Sequence, residues 1–131
     1  MKTLVVDDEI TNRLILQAVL QPYGEVHIAA SGGEAVIAAS MAIEQGEHYD
    51  LICLDIIMPG IDGHAALKSI RSLEEKHGLS PASRAKVVMT TALSDRANII
   101  GALNKQCDHY LVKPIDVSKL TEFLEKANLL A

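Results

Sequence analysis

The sequence predicts an α/β fold in which a parallel sheet is covered by helices on both faces. Five short apolar and β-branched runs recur every ~22–35 residues, which leaves room for one helix between neighbours. Three runs are almost continuously apolar, as are strands buried on both faces of a parallel sheet. Strict alternation of strand and helix is the pattern of a (βα)5 doubly wound domain.

The five runs define the predicted strands. They are Thr3–Val6, Val26–Ala29, Leu51–Leu54, Lys86–Thr90 and Tyr110–Val112. The interval before the fourth strand, from about residue 77 to 86, contains Gly, Pro and Ser, and predicts a loop of around ten residues.

Helix-start residues precede four of the predicted helices. Ser31 opens a capping-box pattern with an acidic residue three positions later, and Asp62 and Asp116 are also placed to cap helices. Ser94 or Asp95 begins the fourth helix. The apolar residues that share a helix face are Ile15, Ala18 and Val19; Ala35, Val36, Ala39 and Ile43; Ala66, Leu67 and Ile70; Ile99, Ile100 and Leu103; and Leu120, Leu124 and Ala127.

Composition excludes several classes of protein. The chain has 131 residues, 49% of them hydrophobic, with one Phe and no Trp, so an aliphatic core is expected rather than disorder. The net charge is −5 and no basic run occurs, which argues against binding to nucleic acid or to an anionic membrane.

The same composition indicates a cytoplasmic protein. Cys53 and Cys107 lie in apolar segments without metal-binding spacing, as small buried hydrophobes in a reducing compartment do. No segment approaches the ~20 apolar residues of a membrane span, and the start lacks a signal-peptide pattern. We expect residues 1–131 to form a single domain without an output domain.

Reactive side chains follow four of the predicted strands. In open parallel sheets, ligands bind beyond the carboxyl ends of the strands. The residues expected at that edge are Asp7, Asp8 and Glu9 after the first strand, Asp55 after the third, Thr91 after the fourth, and Lys113 and Pro114 after the fifth.

This cluster predicts a divalent metal ion. Two carboxylates ~5 Å apart repel by about 3 kcal/mol at an effective dielectric constant of 20. Asp7, Asp8 and Asp55 carry about three negative charges, which Lys113 and Mg²⁺ would balance. Asp55 could then act as a nucleophile in phosphoryl transfer, with Thr91 as a hydroxyl donor.

Four stretches resemble the receiver domains of two-component response regulators, especially the stand-alone chemotaxis type. They are Val5–Glu9, Leu54–Gly63, Met89–Ala92 and Tyr110–Pro114, in the order and spacing of that family. The resemblance implies a flavodoxin-like fold with strand order 2-1-3-4-5. It also implies a switch that accepts a phosphoryl group from a histidine kinase or a histidine phosphotransfer protein.

The resemblance assigns roles to individual residues. Asp55 would be the phosphoacceptor, and Asp8 and Asp55 would bind Mg²⁺ directly. Asp7 would act through water, and Ile57 would contribute its backbone carbonyl.

The resemblance also implies a switch. Thr91 would be the switch hydroxyl, Tyr110 the aromatic switch residue, and Lys113 the partner of a phosphoryl oxygen, followed by a cis bond to Pro114. Thr90 is the alternative switch hydroxyl, and Tyr110 is alternatively an ordinary half-buried core residue.

Three positions depart from the family pattern. Ile57 and Leu93 lie two residues beyond Asp55 and Thr91, where many relatives have polar groups. Apolar groups there should hinder an attacking water, so we expect a comparatively long-lived acyl phosphate. Gln106 stands where relatives often have Gly, and we expect a changed end to the fourth helix.

The sequence also predicts a surface for a partner protein and leaves two alternative functions open. The fourth helix is more apolar than one buried face requires, so with strand five and helix five it predicts a surface for a downstream protein or a homodimer. The rivals are a Mg²⁺-dependent phosphatase of the haloacid-dehalogenase type, and a degenerate receiver that works unphosphorylated. The phosphatase family has an Asp-x-Asp motif and a cap insertion, whereas Asp7 and Asp8 are adjacent here.

Overall fold

The computed structural model describes residues 1–92 and 106–130, which form a five-stranded parallel sheet with helices on both faces. The strand order is β2-β1-β3-β4-β5, and every neighbouring pair is parallel. The predicted fold class and strand order are therefore confirmed.

The bounds of the strands agree closely with the predicted runs. The described elements, in chain order, are β1 (Thr3–Val6), α1 (Ile10–Leu20), a 3₁₀ turn (Gln21–Tyr23), β2 (Val26–Ala29), α2 (Gly32–Glu44), β3 (Leu51–Asp55), α3 (Gly63–Lys76), β4 (Lys86–Ala92), β5 (His109–Lys113) and α4 (Val117–Lys126). The predicted fourth helix, which begins at Ser94 or Asp95, lies outside the described residues, as does Leu93. The label α4 therefore denotes the helix that the sequence predicts as the fifth.

Two apolar cores lie on opposite faces of the sheet. Alternation along the strands sends Leu4 and Val6 to one face and Val5 to the other. Helices α2 and α3 cover the first face with buried Ala, Leu and Ile side chains. Helices α1 and α4 cover the second, where Cys53 is also buried. Burial on both faces explains why β1, β3 and β4 read as nearly continuous apolar runs.

Three helix starts are capped as predicted. Ser31 Oγ accepts from the N–H of Glu34 at 3.2 Å, and Asp62 Oδ1 accepts from the N–H of Ala65 at 2.9 Å. Asp116 caps α4 through the N–H of Ser118 at 2.9 Å. Each cap satisfies a backbone N–H that the first turn of a helix leaves without a partner. The cap therefore fixes the residue at which the helix begins.

The buried face of α1 differs from the predicted one. Leu16 and Leu20 are buried, whereas Ile15 is 47% exposed and Ala18 is exposed. Because α1 is apolar nearly all round, periodicity alone could not identify the side that packs on the sheet.

Within the described ranges, no helix combines the length and the apolar character needed to cross a bilayer.

Candidate functional site

The carboxyl ends of the strands bring the predicted site residues to one edge of the sheet. Asp55 is the last residue of β3, and Lys113 is the last of β5. Asp7 directly follows β1, which pairs with β3. Strand β4 lies between β3 and β5, so Thr91 reaches the same edge.

Lys113 joins the two buried acids of this edge. Its Nζ lies 3.0 Å from Oδ2 of Asp55 and 3.0 Å from Oδ2 of Asp7. Asp7 and Asp55 are 1% and 4% exposed, so water screens their charges little. The long side chain of Lys113 therefore carries positive charge from the edge strand to the centre of the acidic site.

Three carboxylates converge beside this ammonium group. One oxygen from each of Asp7, Asp8 and Asp55 lies within 4.8 Å of the others, and Asp8 is exposed to solvent. Lys113 contributes one positive charge against three negative charges. The site therefore has an uncompensated charge of about −2 when all three acids are ionised.

The unsatisfied atoms of the site fit a magnesium ion. Oδ2 of Asp7 is buried, and among the described residues its one polar partner is the ammonium group of Lys113, at 3.0 Å. Lys113 is shared between Asp7 and Asp55, so one ammonium group leaves part of the buried negative charge without a partner. Hard oxygen ligands, with Asp8 open to solvent, match the preference of Mg²⁺ for carboxylates plus retained waters. Asp7, Asp8 and Asp55 can therefore hold this ion.

The electrostatics of Asp55 reflect its burial. Desolvation raises the pKa of Asp55 from 3.8 to about 6, although its hydrogen bond to Lys113 works in the opposite direction. Burial would lower the pKa of Lys113, but its contacts with Asp7 and Asp55 outweigh burial and raise it. At neutral pH, Lys113 is charged and Asp55 is largely a carboxylate.

The loop after β3 fixes the orientation of Asp55. The N–H of Ile57 donates to Oδ1 of Asp55 at 3.3 Å, while the Ile57 side chain is 57% exposed. At the start of α3, the N–H of Gly63 donates to the carbonyl of Ile56 at 2.7 Å. A Cβ on Gly63 would lie 2.6 Å from Cα of Ile56, so only glycine allows this approach.

Among the described residues, the predicted switch residues Thr91 and Tyr110 form no hydrogen bond with the three carboxylates. The buried hydroxyl of Thr91 donates to the carbonyl of Ala92 at 3.3 Å. Thr90 is also buried and is the register partner of Asp55. Tyr110 is half-buried against the core beneath α2 and α3. The predicted bond between Lys113 and Pro114 is cis.

Two supports of Asp7 were not predicted from the sequence. Arg13 on α1 donates from Nη1 to the carbonyl of Asp7 at 3.1 Å, and the N–H of Glu9 donates to Oδ1 of Asp7 at 2.9 Å. The second bond had a usable signal, because Asp side chains often accept from the backbone two residues on. The side chain of Glu9 is exposed, as predicted.

Comparison with known proteins gives a family match over nearly the whole chain. The sequence profile of the response regulator receiver domain matches residues 3–125. This match gives no support to the haloacid-dehalogenase-type alternative.

Two curated relatives and one solved structure illustrate the similarity. A probable transcriptional regulator, ycf27, of Cyanophora paradoxa is 39% identical over 120 residues, covering 91% of this chain and 44% of the relative. The transcriptional regulatory protein ZraR of Salmonella typhimurium is 36% identical over 125 residues, covering 95% of this chain and 25% of the relative. The chain thus spans less than half the length of these relatives.

The solved structure is the receiver domain of a sensor histidine kinase from Pseudomonas aeruginosa PAO1. It is 28% identical with a TM-score of 0.74, and the alignment covers 95% of this chain and 94% of that one. That structure is described with a magnesium ion coordinated in its active-site cleft.

Proposed function

This chain belongs to the family of response regulator receiver domains, and from that premise we propose that Asp55 is its phosphoacceptor. The donor would be a phosphohistidine of a sensor histidine kinase or of a histidine phosphotransfer protein. The observation that carries the proposal is the contact between Asp55 and Lys113 at 3.0 Å, within a cluster of three acids that can hold Mg²⁺.

The chemistry is a transfer from nitrogen to oxygen. An oxygen of Asp55 forms a bond to phosphorus while the bond between phosphorus and the donor imidazole breaks, and the imidazole nitrogen keeps the electron pair. Lys113 stays beside the reacting oxygen and offsets the charge that Asp55 gains. When bound by Asp7, Asp8 and Asp55, with the carbonyl of Ile57, Mg²⁺ would neutralise phosphoryl oxygens.

The signal would be a change in the position of residues near the site. A phosphoryl group on Asp55 offers new acceptors to the Thr91 hydroxyl, which donates a long hydrogen bond of 3.3 Å to the carbonyl of Ala92. Tyr110, half-buried against the core, would move inward with it. We assign the switch to Thr91 and keep Thr90 as the alternative.

Two surfaces suit the proposed partners. Ile10 and Leu14 are exposed one turn apart on α1, next to Asp8, and form an apolar border for a docking phosphodonor. The downstream protein, or a second copy in a homodimer, would use the face predicted for the fourth helix, strand five and the fifth helix, of which β5 and α4 are the described parts. Strand β5 is an edge of the described sheet. A cytoplasmic location and a single domain over residues 1–131 remain predictions.

Intact-mass measurement tests the acceptor. Incubation with acetyl phosphate and Mg²⁺ should add one phosphoryl group to the wild type and none to Asp55→Ala. Asp50→Ala is the matched control, because Asp50 is exposed at the opposite end of β3 and should leave phosphorylation intact. An unchanged mass gain in Asp55→Ala would disprove the assignment.

Receiver domains are phosphoacceptor switches rather than classical enzymes. For this chain we accordingly expect a single stoichiometric phosphorylation. Repeated turnover of p-nitrophenyl phosphate would instead favour the phosphatase alternative.

A further inference from the structure

A groove between α2 and α3 lies on the outer surface of the helical layer that covers one face of the sheet. Its volume is about 390 Å³, and it is lined by Val36, Lys68, Ser69, Ser72, Leu73 and Lys76. None of these residues belongs to the acidic site or to the surfaces of α1, β5 and α4 considered above. The groove therefore has no role in the phosphoryl switch as proposed.

The groove is lined by two lysines, although the net charge of the whole chain is −5. Lys68 and Lys76 are exposed, and neither forms an ion pair among the residues that the structure describes. The residues that line the groove carry two positive charges and no negative charge, and Glu75 is the exposed acidic residue of α3. Lys76 lies eight positions after Lys68, which corresponds to about 12 Å along the helix axis.

An exposed apolar strip runs along the neighbouring helix. Ile37 and Met41 are 62% and 54% exposed and lie one turn apart on α2. Val36 and Leu73 are half-buried and bring apolar surface into the groove itself. The acidic residues of α2 are confined to its ends, Glu34 and Glu44. Apolar surface on α2 thus lies beside basic surface on α3.

We propose that this surface binds an acidic amphipathic helix of a partner protein. Apolar side chains at a spacing of three or four residues would pack on Ile37, Met41 and Val36. Acidic side chains about two turns apart on the same helix would meet Lys68 and Lys76. Charge complementarity selects an acidic partner, because a basic helix would be repelled by Lys68 and Lys76. The surface is separate from Asp55, so a partner could bind irrespective of phosphorylation.

Peptide binding to the intact protein tests this proposal. The probe is a fluorescent 18-residue helix of Leu, Ala and Glu with its Leu residues on one face, and the control peptide has Lys in place of every Glu. Anisotropy should report saturable binding of the acidic peptide alone. Amide shifts in NMR spectra should cluster on α2 and α3.

Matched variants separate the groove from general electrostatics. Lys68→Glu/Lys76→Glu should weaken acidic-peptide binding about tenfold. Lys119→Glu/Lys126→Glu changes the net charge equally on α4 and should change affinity less than about twofold. Ile37→Ser/Met41→Ser should also reduce binding, while circular dichroism verifies that each variant is folded.

Three results of the peptide experiments would overturn the proposal. They are no saturable binding at about 1 mM peptide, equal losses in the α3 and α4 charge variants, and shifts that map elsewhere. A concentration-dependent dimer that Ile37→Ser/Met41→Ser abolishes would also overturn it, by assigning the surface to a second copy of this chain.

Discussion

Nζ of Lys113 lies 3.0 Å from Asp55 and 3.0 Å from Asp7, so a single ammonium group contacts two buried carboxylates. The contacts join β5 to β3 and to the loop after β1. Lys113 occupies the region where a bound cation would also interact with the acids. The ammonium group and Mg²⁺ therefore both offset the same negative charge.

Replacing Lys113 by Met should separate these two contributions. The metal-free variant should lose about 2–3 kcal/mol of unfolding free energy, since two buried acids lose a charged partner. Added Mg²⁺ should stabilise the variant more than the wild type, because the ion then offsets more charge. Thermal unfolding with and without Mg²⁺ measures both effects, with Lys119→Met as an exposed control. Equal stabilisation of Lys113→Met and wild type by Mg²⁺ would contradict this account.

The affinity for Mg²⁺ should depend on pH through Asp55. The pKa of Asp55 is raised to about 6 in the folded protein, and a protonated carboxyl is a poor metal ligand. Affinity should therefore rise between pH 5 and pH 7 and level off above, as titration calorimetry can measure. Asp55→Asn should lack most of this rise. A flat affinity profile in the wild type would argue against a raised pKa.

The same group gives a prediction for stability without metal. The pKa of Asp55 is 3.8 in the unfolded chain and about 6 in the folded protein. Between these two pH values the folded protein therefore binds more protons than the unfolded chain. The contribution of Asp55 to stability therefore falls as pH rises through that window. Denaturant unfolding without Mg²⁺ should show wild type losing stability relative to Asp55→Asn from pH 4 to pH 6.

The fold was readable from the sequence because its signals are local. The predicted bounds of Thr3–Val6 and Val26–Ala29 coincide with β1 and β2, since each short run of mainly apolar and β-branched residues is flanked by polar residues. The caps Asp62 and Asp116 were readable for a similar reason, because a cap bonds to a backbone group only two or three residues away.

Contacts between distant segments could be predicted only where the order of parallel strands determines them. Asp7, Asp8 and Asp55 were predicted to meet because parallel strands share a carboxyl edge, and the structure brings them within 4.8 Å. The bond from Arg13 to the carbonyl of Asp7 has no such rule, because it depends on the rotation of α1. That rotation also exposed Ile15, contrary to the predicted helix face.

The close approach of Gly63 to Asp55 predicts an effect on the site. In Gly63→Ala the added Cβ would meet the backbone of Asp55 and Ile56, so the end of β3 must shift. Both stability and Mg²⁺ affinity should fall. Asp62→Ala is the matched control: it removes a helix cap worth about 1 kcal/mol but leaves the site in place. Equal Mg²⁺ affinity in Gly63→Ala and Asp62→Ala would refute the coupling.

The exposed side chain of Ile57 predicts a slow loss of the phosphoryl group. Ile57 lies two residues beyond Asp55, and its apolar surface should hinder an attacking water. Ile57→Asn should therefore hydrolyse several-fold faster, measured by mass spectrometry after removal of acetyl phosphate. Ile61→Asn changes another exposed apolar side chain of the same loop and serves as the control. A rate for Ile57→Asn equal to or slower than wild type would count against the hypothesis.

A buried arginine ties α3 to the two strands that follow it. The side chain of Arg71 is 5% exposed and donates to Glu74 at 2.7 Å and to Asp108 at 3.2 Å. It also donates to the carbonyls of Ala85 and Gln106, both at 2.8 Å. The segments that precede β4 and β5 thus both accept hydrogen bonds from the guanidinium group of Arg71 on α3. This contact holds the backbone carbonyl of Gln106.

Replacing Arg71 by Leu should cost about 3–5 kcal/mol, because Glu74 is left buried without its cation. Arg71→Leu/Glu74→Leu should recover part of the loss, since the double variant also removes the stranded carboxylate. Lys126→Leu, which breaks an exposed pair with Glu122, should leave urea unfolding unchanged within error. If Arg71→Leu proved no more harmful than Lys126→Leu, the three segments would be held by apolar packing alone. The charge network would then have no part in fixing the entry to β5.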